Sequence, residues 1–344
     1  MKRLLNNLYV TTDGAYLHKR GETVCINIDG ETRLSLPLHT LGGIVCMGRV
    51  SCSPTLMGAC GERNIMISFL NENGRFLARV QGPVSGNVLL RKEQYRRSDD
   101  ERASSEVARA VVISKIANSR VVLQRSLRDA PDDQKCPPIE EAIDRLASTA
   151  AGLLDDTLPL DSIRGAEGDA AKTYFGVFDY LIKSQEEAFY FTERSRRPPR
   201  DNMNALMSFL YTLLVHDTVS ALESVGLDPA VGFLHRDRPG RPSLALDIME
   251  EFRAMIADRL ALSLVNRRQI KESGFVASEA GGVLMDKATR RTVIEAYQAR
   301  KREEIKHPFL GESVAVGLLP HVQAMLLARH LRGDIDAYPP FAWK

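Results

Sequence analysis

Up to about Pro83 the chain sets short apolar runs between turn dipeptides, a pattern that predicts strands joined by tight turns. Asp13-Gly14 separates Leu8-Tyr9-Val10 from Ala15-Tyr16-Leu17, and Asp29-Gly30 separates Val24 to Ile28 from Arg33 to Leu36. Asn73-Gly74 separates Ile65 to Leu70 from Phe76-Leu77-Ala78; each dipeptide supplies the positive φ of a tight hairpin. Between these runs, Ser53-Pro54 followed by Thr55 to Cys60 predicts one short helix, with serine as cap and proline in the first turn.

From about Ser85 the apolar period becomes that of helices. Val112, Ile116, Leu123 and Leu127 form one stripe, and Pro131 ends that segment. Pro137-Pro138, Arg197 to Arg200, Arg238 to Pro242 and Gly281-Gly282 mark the main breaks. The pattern therefore predicts an α+β fold, with a small N-terminal β-rich domain over residues 1–84 and a larger all-α domain over 85–344.

Composition narrows the class. The 344 residues suffice for a buried core in each of two domains, and a net charge of +2 does not announce a nucleic-acid partner, so any such reading must rest on local charge. The five cysteines form no C-x-x-C pair and read as buried thiols in a reducing compartment. Asn6 and Asn7 interrupt the N-terminus before an apolar segment can form, and no later run approaches membrane-spanning length, so a soluble cytoplasmic protein is expected.

The chemistry starts from acids in apolar places. The segment from Ser162 to Phe175 predicts a helix capped by Asp161 or Ser162, with Glu167 on the same face as Ala170, Ala171, Tyr174 and Phe178. A carboxylate there costs several kcal/mol to bury unless it is paired or metal-bound. Both readings stay open: a metal ligand, or an ion pair with an arginine from another helix. Leu244 to Arg253 predicts a second helix, with a core stripe through Ala245, Ile248, Met249, Phe252 and Ile256 and with Asp247 and Glu250 three apart on one edge. That pair is either a solvated edge or a cation site. His235 ends an apolar run just before this helix, from where its ring can face back over Asp247 and Glu250. Glutamate, histidine and a second acid make a mixed oxygen and nitrogen set suited to Mg²⁺ or Mn²⁺. The other histidines are assigned no chemistry.

Gly165 to Phe175, Arg200 to Leu206 with Tyr211, Gly232 to His235 and Leu246 to Arg253 together resemble the CRISPR adaptation integrase family, the Cas protein numbered one. The opening stretch and the length are most similar to members from type I-C systems. The resemblance implies that the N-terminal domain serves dimerisation and partner contact and that the helical domain is catalytic. It also implies metal ligands at Glu167, His235 and Glu250, with Asp247 a further candidate ligand. The implied reaction is transesterification, in which the 3′-hydroxyl of a captured DNA fragment attacks a phosphodiester at a CRISPR repeat; hydrolysis is the nuclease form of that chemistry. A homodimer is implied, together with the small Cas protein numbered two and, from the type I-C kinship, the Cas protein numbered four. No P-loop pattern occurs, which fits an exchange without nucleotide hydrolysis.

Two basic groups flank the candidate site and are the expected DNA contacts: Arg194, Arg196, Arg197 and Arg200, then Arg236, Arg238 and Arg241. Asn204 and Tyr211, seven apart on one helical face, either orient a ligand or satisfy core hydrogen bonds. The proline-rich tail from Tyr338 to Lys344 is expected to dock on a partner or to fray. Two competing functions remain: a stand-alone structure-selective nuclease, and a non-catalytic DNA-binding scaffold in which the acids are salt-bridge partners.

Overall fold

The computed structural model describes residues 6–63, 65–71, 76–80, 82, 88–129, 136–279 and 281–343. The chain divides into two compact units, residues 1–86 and 87–344.

The first unit holds β1 (Asn6–Val10), β2 (Tyr16–Arg20), β3 (Thr23–Ile28), β4 (Glu31–Pro37), β5 (Leu41–Met47), β6 (Ser51–Cys52), α1 (Pro54–Glu62), β7 (Met66–Leu70) and β8 (Phe76–Val80). Two four-stranded sheets result, ordered β1-β5-β7-β8 and β4-β3-β2-β6. Val10, Leu17, Ile26, Ile44, Leu56 and Ile67 share one apolar core. The Asp29-Gly30 turn closes the β3–β4 hairpin with φ of 52° and 81°, as its residue types require.

Asp13-Gly14 does something else. β1 and β2 lie in different sheets, so this turn carries the chain between sheets, and Gly14 N donates to Arg49 O at 2.8 Å. The missed hairpin is β2–β3, which turns at Gly21 with φ 57°. Asn73-Gly74 lies outside the described residues, although β7 and β8, on either side of it, pair antiparallel. Ser53 caps α1 through Leu56 N at 3.2 Å, with Pro54 in the first turn.

The second unit contains α2 (Val88–Asp99), α3 (Glu101–Arg128), α4 (Pro137–Gly152), α5 (Leu160–Gly176), α6 (Glu186–Phe189), α7 (Asn202–Val225), α8 (Ser243–Glu250) and α9 (Arg259–Asn266). Then come β9 (Phe275–Ala277), β10 (Val283–Met285), α10 (Lys287–Arg302), β11 (Glu304–Lys306), β12 (Ser313–Ala315) and α11 (Leu319–Leu331). The unit is helical but not all-α, because β9–β10 and β11–β12 form two short antiparallel ribbons. Helix α3 carries the predicted stripe, with Val112, Ile116 and Leu123 fully buried against α4 and α5. It ends at Arg128, and Pro131 lies outside the described residues.

Helix α7 corrects the membrane reading, since it is long and apolar enough to span a bilayer. Most of its apolar window is buried inside the unit, where it packs on α8 and α11 as a core helix. The tail also departs from expectation. Tyr338 and Phe341 are buried on the chain's own helices, and Trp343 N donates to Asn118 Oδ1 at 2.7 Å while Arg125 stacks 3.7 Å from the Trp343 ring centroid.

Candidate metal centre

Glu250 closes α8, where the helical register breaks: after Phe252 comes a six-residue π-helical stretch, Arg253–Asp258, before α9. The acidic edge is not solvated. Asp247 is 0% and Glu250 2% exposed. The two acids serve different ends. Asp247 Oδ2 accepts from Phe233 N at 2.6 Å and Leu234 N at 3.0 Å, and Oδ1 accepts from His235 N at 2.9 Å and His235 Nδ1 at 2.7 Å. Four N–H groups thus occupy its acceptor positions. Its role is to hold the loop that carries His235.

That loop fits only because Gly232 has no side chain. A Cβ there would lie 2.8 Å from Asp247 Oδ2 and 2.9 Å from Ser243 Cβ. From α5, Arg164 Nε donates to Leu234 O at 2.7 Å and pins the loop from the other side. With Nδ1 donating to a carboxylate, the neutral imidazole keeps its lone pair on Nε2. Nε2 faces Glu250 Oε1 at 3.9 Å.

Glu167 reaches the same place from α5. The expected cap is absent: α5 starts at Leu160 after Pro159, with no side-chain cap, and Asp161 instead pairs with Arg164 and Arg236. The Glu167 side chain is 26% exposed and its ion-pair partner is Lys115 of α3, not an arginine. Lys115 Nζ also lies 2.8 Å from Glu250 Oε2, so one ammonium bridges both carboxylates. Arg253 Nη2 contacts Glu250 Oε1 at 3.0 Å. Burial pushes the Glu250 carboxyl up, but Arg253 and Lys115 outweigh it and hold the group well below the usual carboxylate range.

Tyr211 supports this arrangement at one remove. The guanidinium groups of Arg194 and Arg253 both lie over its ring, each 5.0 Å from the centroid, and its hydroxyl donates to Asp258 Oδ1 at 2.6 Å. Asn204 touches none of the candidate ligands. It accepts from Arg194 Nη1 at 2.6 Å and Ser195 N at 3.0 Å, fixing the loop ahead of α7. Arg194 is therefore a structural residue, also bonded to Ser195 O and Ser208 Oγ, and is withdrawn from the expected DNA contacts. Arg196, Arg197, Arg200, Arg236 and Arg238 are exposed. Burial, with Arg238, Arg196 and Arg197 close by, pushes the Arg241 pKa down, so two loops far apart in sequence make one basic surface beside Asp247.

Lys115, Arg164 and Arg253 were not anticipated from sequence. Lys115 carried the signal that exposed Glu167, a charge on an apolar stripe, three and four residues after Val112 and Val111.

The family model for CRISPR associated protein Cas1 matches residues 8–299. The chain belongs to the Cas1 family. The CRISPR-associated endonuclease Cas1 1 of Chlorobaculum tepidum is 56% identical over 344 residues, covering 100% of both chains. Among solved structures, a chain of a Cas6-RT-Cas1–Cas2 complex shares the Cas1 fold with TM-score 0.82 at 23% identity, covering 98% of this chain and 36% of that one. A casposase bound to integration product matches with TM-score 0.81 at 22% identity, covering 98% and 94%.

Among the described residues, no three His, Cys, Asp or Glu side chains are arranged to hold a metal ion as they stand, since Lys115 lies between Glu167 and Glu250. The donors nevertheless suit one. Glu250 Oε2 is buried and faces the Lys115 ammonium at 2.8 Å, Nε2 of His235 is presented with its tautomer set, and one nitrogen with two carboxylates is the chemistry of Mn²⁺ or Mg²⁺.

Proposed function

We propose that this Cas1-family chain is a divalent-metal-dependent DNA endonuclease and integrase of CRISPR spacer acquisition, joining the 3′-hydroxyl ends of a captured fragment to phosphodiesters at the repeat. The observation that carries the reading is the convergence of Glu167, His235 and Glu250 from three separate segments, with Nε2 of His235 turned toward Glu250. These three residues are the proposed ligands, and Asp247 orients His235. When bound, Mg²⁺ or Mn²⁺ supplies Lewis-acid stabilisation of the phosphate and helps activate the attacking hydroxyl.

The chain's own groups do the rest. Asp247 fixes the imidazole, Arg253 holds Glu250 in place, and the arginine surface positions the DNA backbone without reading bases. The Chlorobaculum relative, an endonuclease by name, supports nuclease chemistry, and the likeness to a casposase bound to integration product and to a chain of a Cas1–Cas2 complex supports strand joining and a Cas2 partner. A homodimer, dimerisation and partner contact through the first unit, type I-C membership and a role for the Cas protein numbered four belong to the same proposal.

The test combines the purified chain, its small partner, a repeat-containing plasmid and a short duplex with Mn²⁺. Covalently joined products are expected, and Glu167→Gln, His235→Ala and Glu250→Gln should each abolish them. Glutamine is preferred at 250 because alanine would remove the buried counter-charge that Glu250 gives both Arg253 and Lys115, leaving Lys115 paired with Glu167, at a cost of about 3–5 kcal/mol in fold stability. Cleaved products without joined ones would identify a stand-alone nuclease. Calorimetry that finds no Mn²⁺ binding dependent on Glu167 would identify a scaffold.

A further inference from the structure

Lys115 occupies a position where a charge is costly. It follows Val111 and Val112 on the buried stripe of α3, and its side chain is 12% exposed. An interior ammonium is unfavourable by several kcal/mol unless it is paired. Its partners are Glu167 and Glu250, two of the three groups read above as metal ligands. Its Nζ lies within ion-pair distance of both carboxylates, so two counter-charges offset the cost of burying the ammonium.

One cation placed between two carboxylates does electrostatically what a divalent ion would do there: it relieves their repulsion. Arg253 contacts the other Glu250 oxygen, Oε1, so Glu250 keeps a counter-charge when Oε2 is released. A cavity lined by Lys115, Ala170, Ala171, Tyr211 and Asp258 adjoins the site and gives the displaced amine somewhere to go.

We propose that Lys115 is an internal counter-cation that holds Glu167 and Glu250 in the metal-free protein and must be displaced for a divalent ion to bind, so that it sets the strength of metal binding. The proposal rests on the reading of Glu167, His235 and Glu250 as ligands. It makes the metal-free site an ordered ion-pair cluster, and it makes metal loading an exchange of one cation for another.

The experiment measures Mn²⁺ binding to the full chain by titration calorimetry, with thermal unfolding in parallel, for wild type, Lys115→Met and Lys115→Gln. Both variants should unfold at lower temperature without metal, bind Mn²⁺ roughly tenfold or more tightly, and gain more thermal stability from it than wild type does. Unchanged or weaker Mn²⁺ affinity in the variants overturns the proposal. If neither variant folds, the wild-type chain carries the test. Acetylation of Lys115 by an amine-reactive ester, read by mass spectrometry, should rise when Mn²⁺ is added, and unchanged labelling overturns it. Glu167→Gln and His235→Ala are titrated beside these. If their Mn²⁺ isotherms match wild type, the ligand assignment itself fails and the Lys115 proposal with it.

Discussion

His235 and Asp247 are joined twice, through the backbone N–H of His235 at 2.9 Å and through Nδ1 of its ring at 2.7 Å, both to Asp247 Oδ1. One carboxylate oxygen thus fixes where the residue sits and which way its ring faces. An amide in place of that carboxylate would lose half of its acceptor capacity.

Asp247→Asn should therefore lower strand joining by about 10–100-fold and destabilise the fold by about 1–3 kcal/mol, since two or more buried N–H groups lose an acceptor. Joining kinetics and denaturant unfolding check both parts. Wild-type joining by this variant, alongside an inactive His235→Ala, would show that ring orientation does not depend on Asp247.

Gly232→Ala forces a methyl group to 2.8 Å from Asp247 Oδ2 and 2.9 Å from the Ser243 Cβ. Neither neighbour can retreat easily, because Asp247 is held by four N–H groups and Ser243 opens α8. A loss of about 1–3 kcal/mol in stability is expected, with weakened Mn²⁺ binding because the His235 loop lifts away. Calorimetry on the folded fraction reads the second effect, and intact Mn²⁺ affinity would separate loop position from ligand position.

How much of this was readable beforehand differs from residue to residue. The change from two-residue to helical period placed the β and α regions, because each element buries one face and its apolar spacing records that. Asp13-Gly14 misled because a turn dipeptide fixes backbone angles and not which strand the next one pairs with; that choice is made by long-range sheet contacts. Glu167 was visible as an acid among alanines, and Lys115 carried the same mark. Arg194 looked like its exposed neighbours Arg196 and Arg197, since nothing local shows that Asn204 and Ser208 of α7 would claim its guanidinium. The role of Asp247 was hidden because its partners are backbone N–H groups, which no side-chain pattern reports.

Glu251 sets a pH dependence unconnected with metal. It is fully buried, accepting from Tyr338 Oη at 2.5 Å, Phe341 N at 2.7 Å and Gln323 Nε2 at 3.0 Å, and burial pushes its carboxyl from 4.5 up to about 7. The folded state therefore holds a proton that the unfolded chain has released between about pH 4.5 and 7. Stability from this group is full below the unfolded value and falls as pH rises through the folded one, by on the order of 3 kcal/mol in total. Asp258, raised to about 6 by burial, acts in the same direction. Glu251→Gln should remove part of the loss of unfolding free energy between pH 5 and pH 8 that wild type shows. Parallel wild-type and variant curves would mean that Glu251 does not titrate in this window.

The arginine surface can be separated from the arginine scaffold by salt. Arg196, Arg197 and Arg238 are exposed, whereas Arg194 is tied to Asn204 and Ser208 and stacks on Tyr211. Replacing the three exposed residues by alanine should leave stability within about 0.5 kcal/mol. The same replacement should weaken duplex DNA binding and flatten the slope of log affinity against log salt by up to about 3, since each lost phosphate contact releases about one counterion fewer. Arg194→Ala should do the reverse: a loss of stability of about 1–3 kcal/mol, because Asn204 loses a charged donor, with the salt slope of the folded protein unchanged. Fluorescence anisotropy across a salt series with a fixed duplex measures the slopes. A triple variant with the wild-type slope would place the DNA on another face, and a flattened slope in Arg194→Ala would return that residue to the DNA surface.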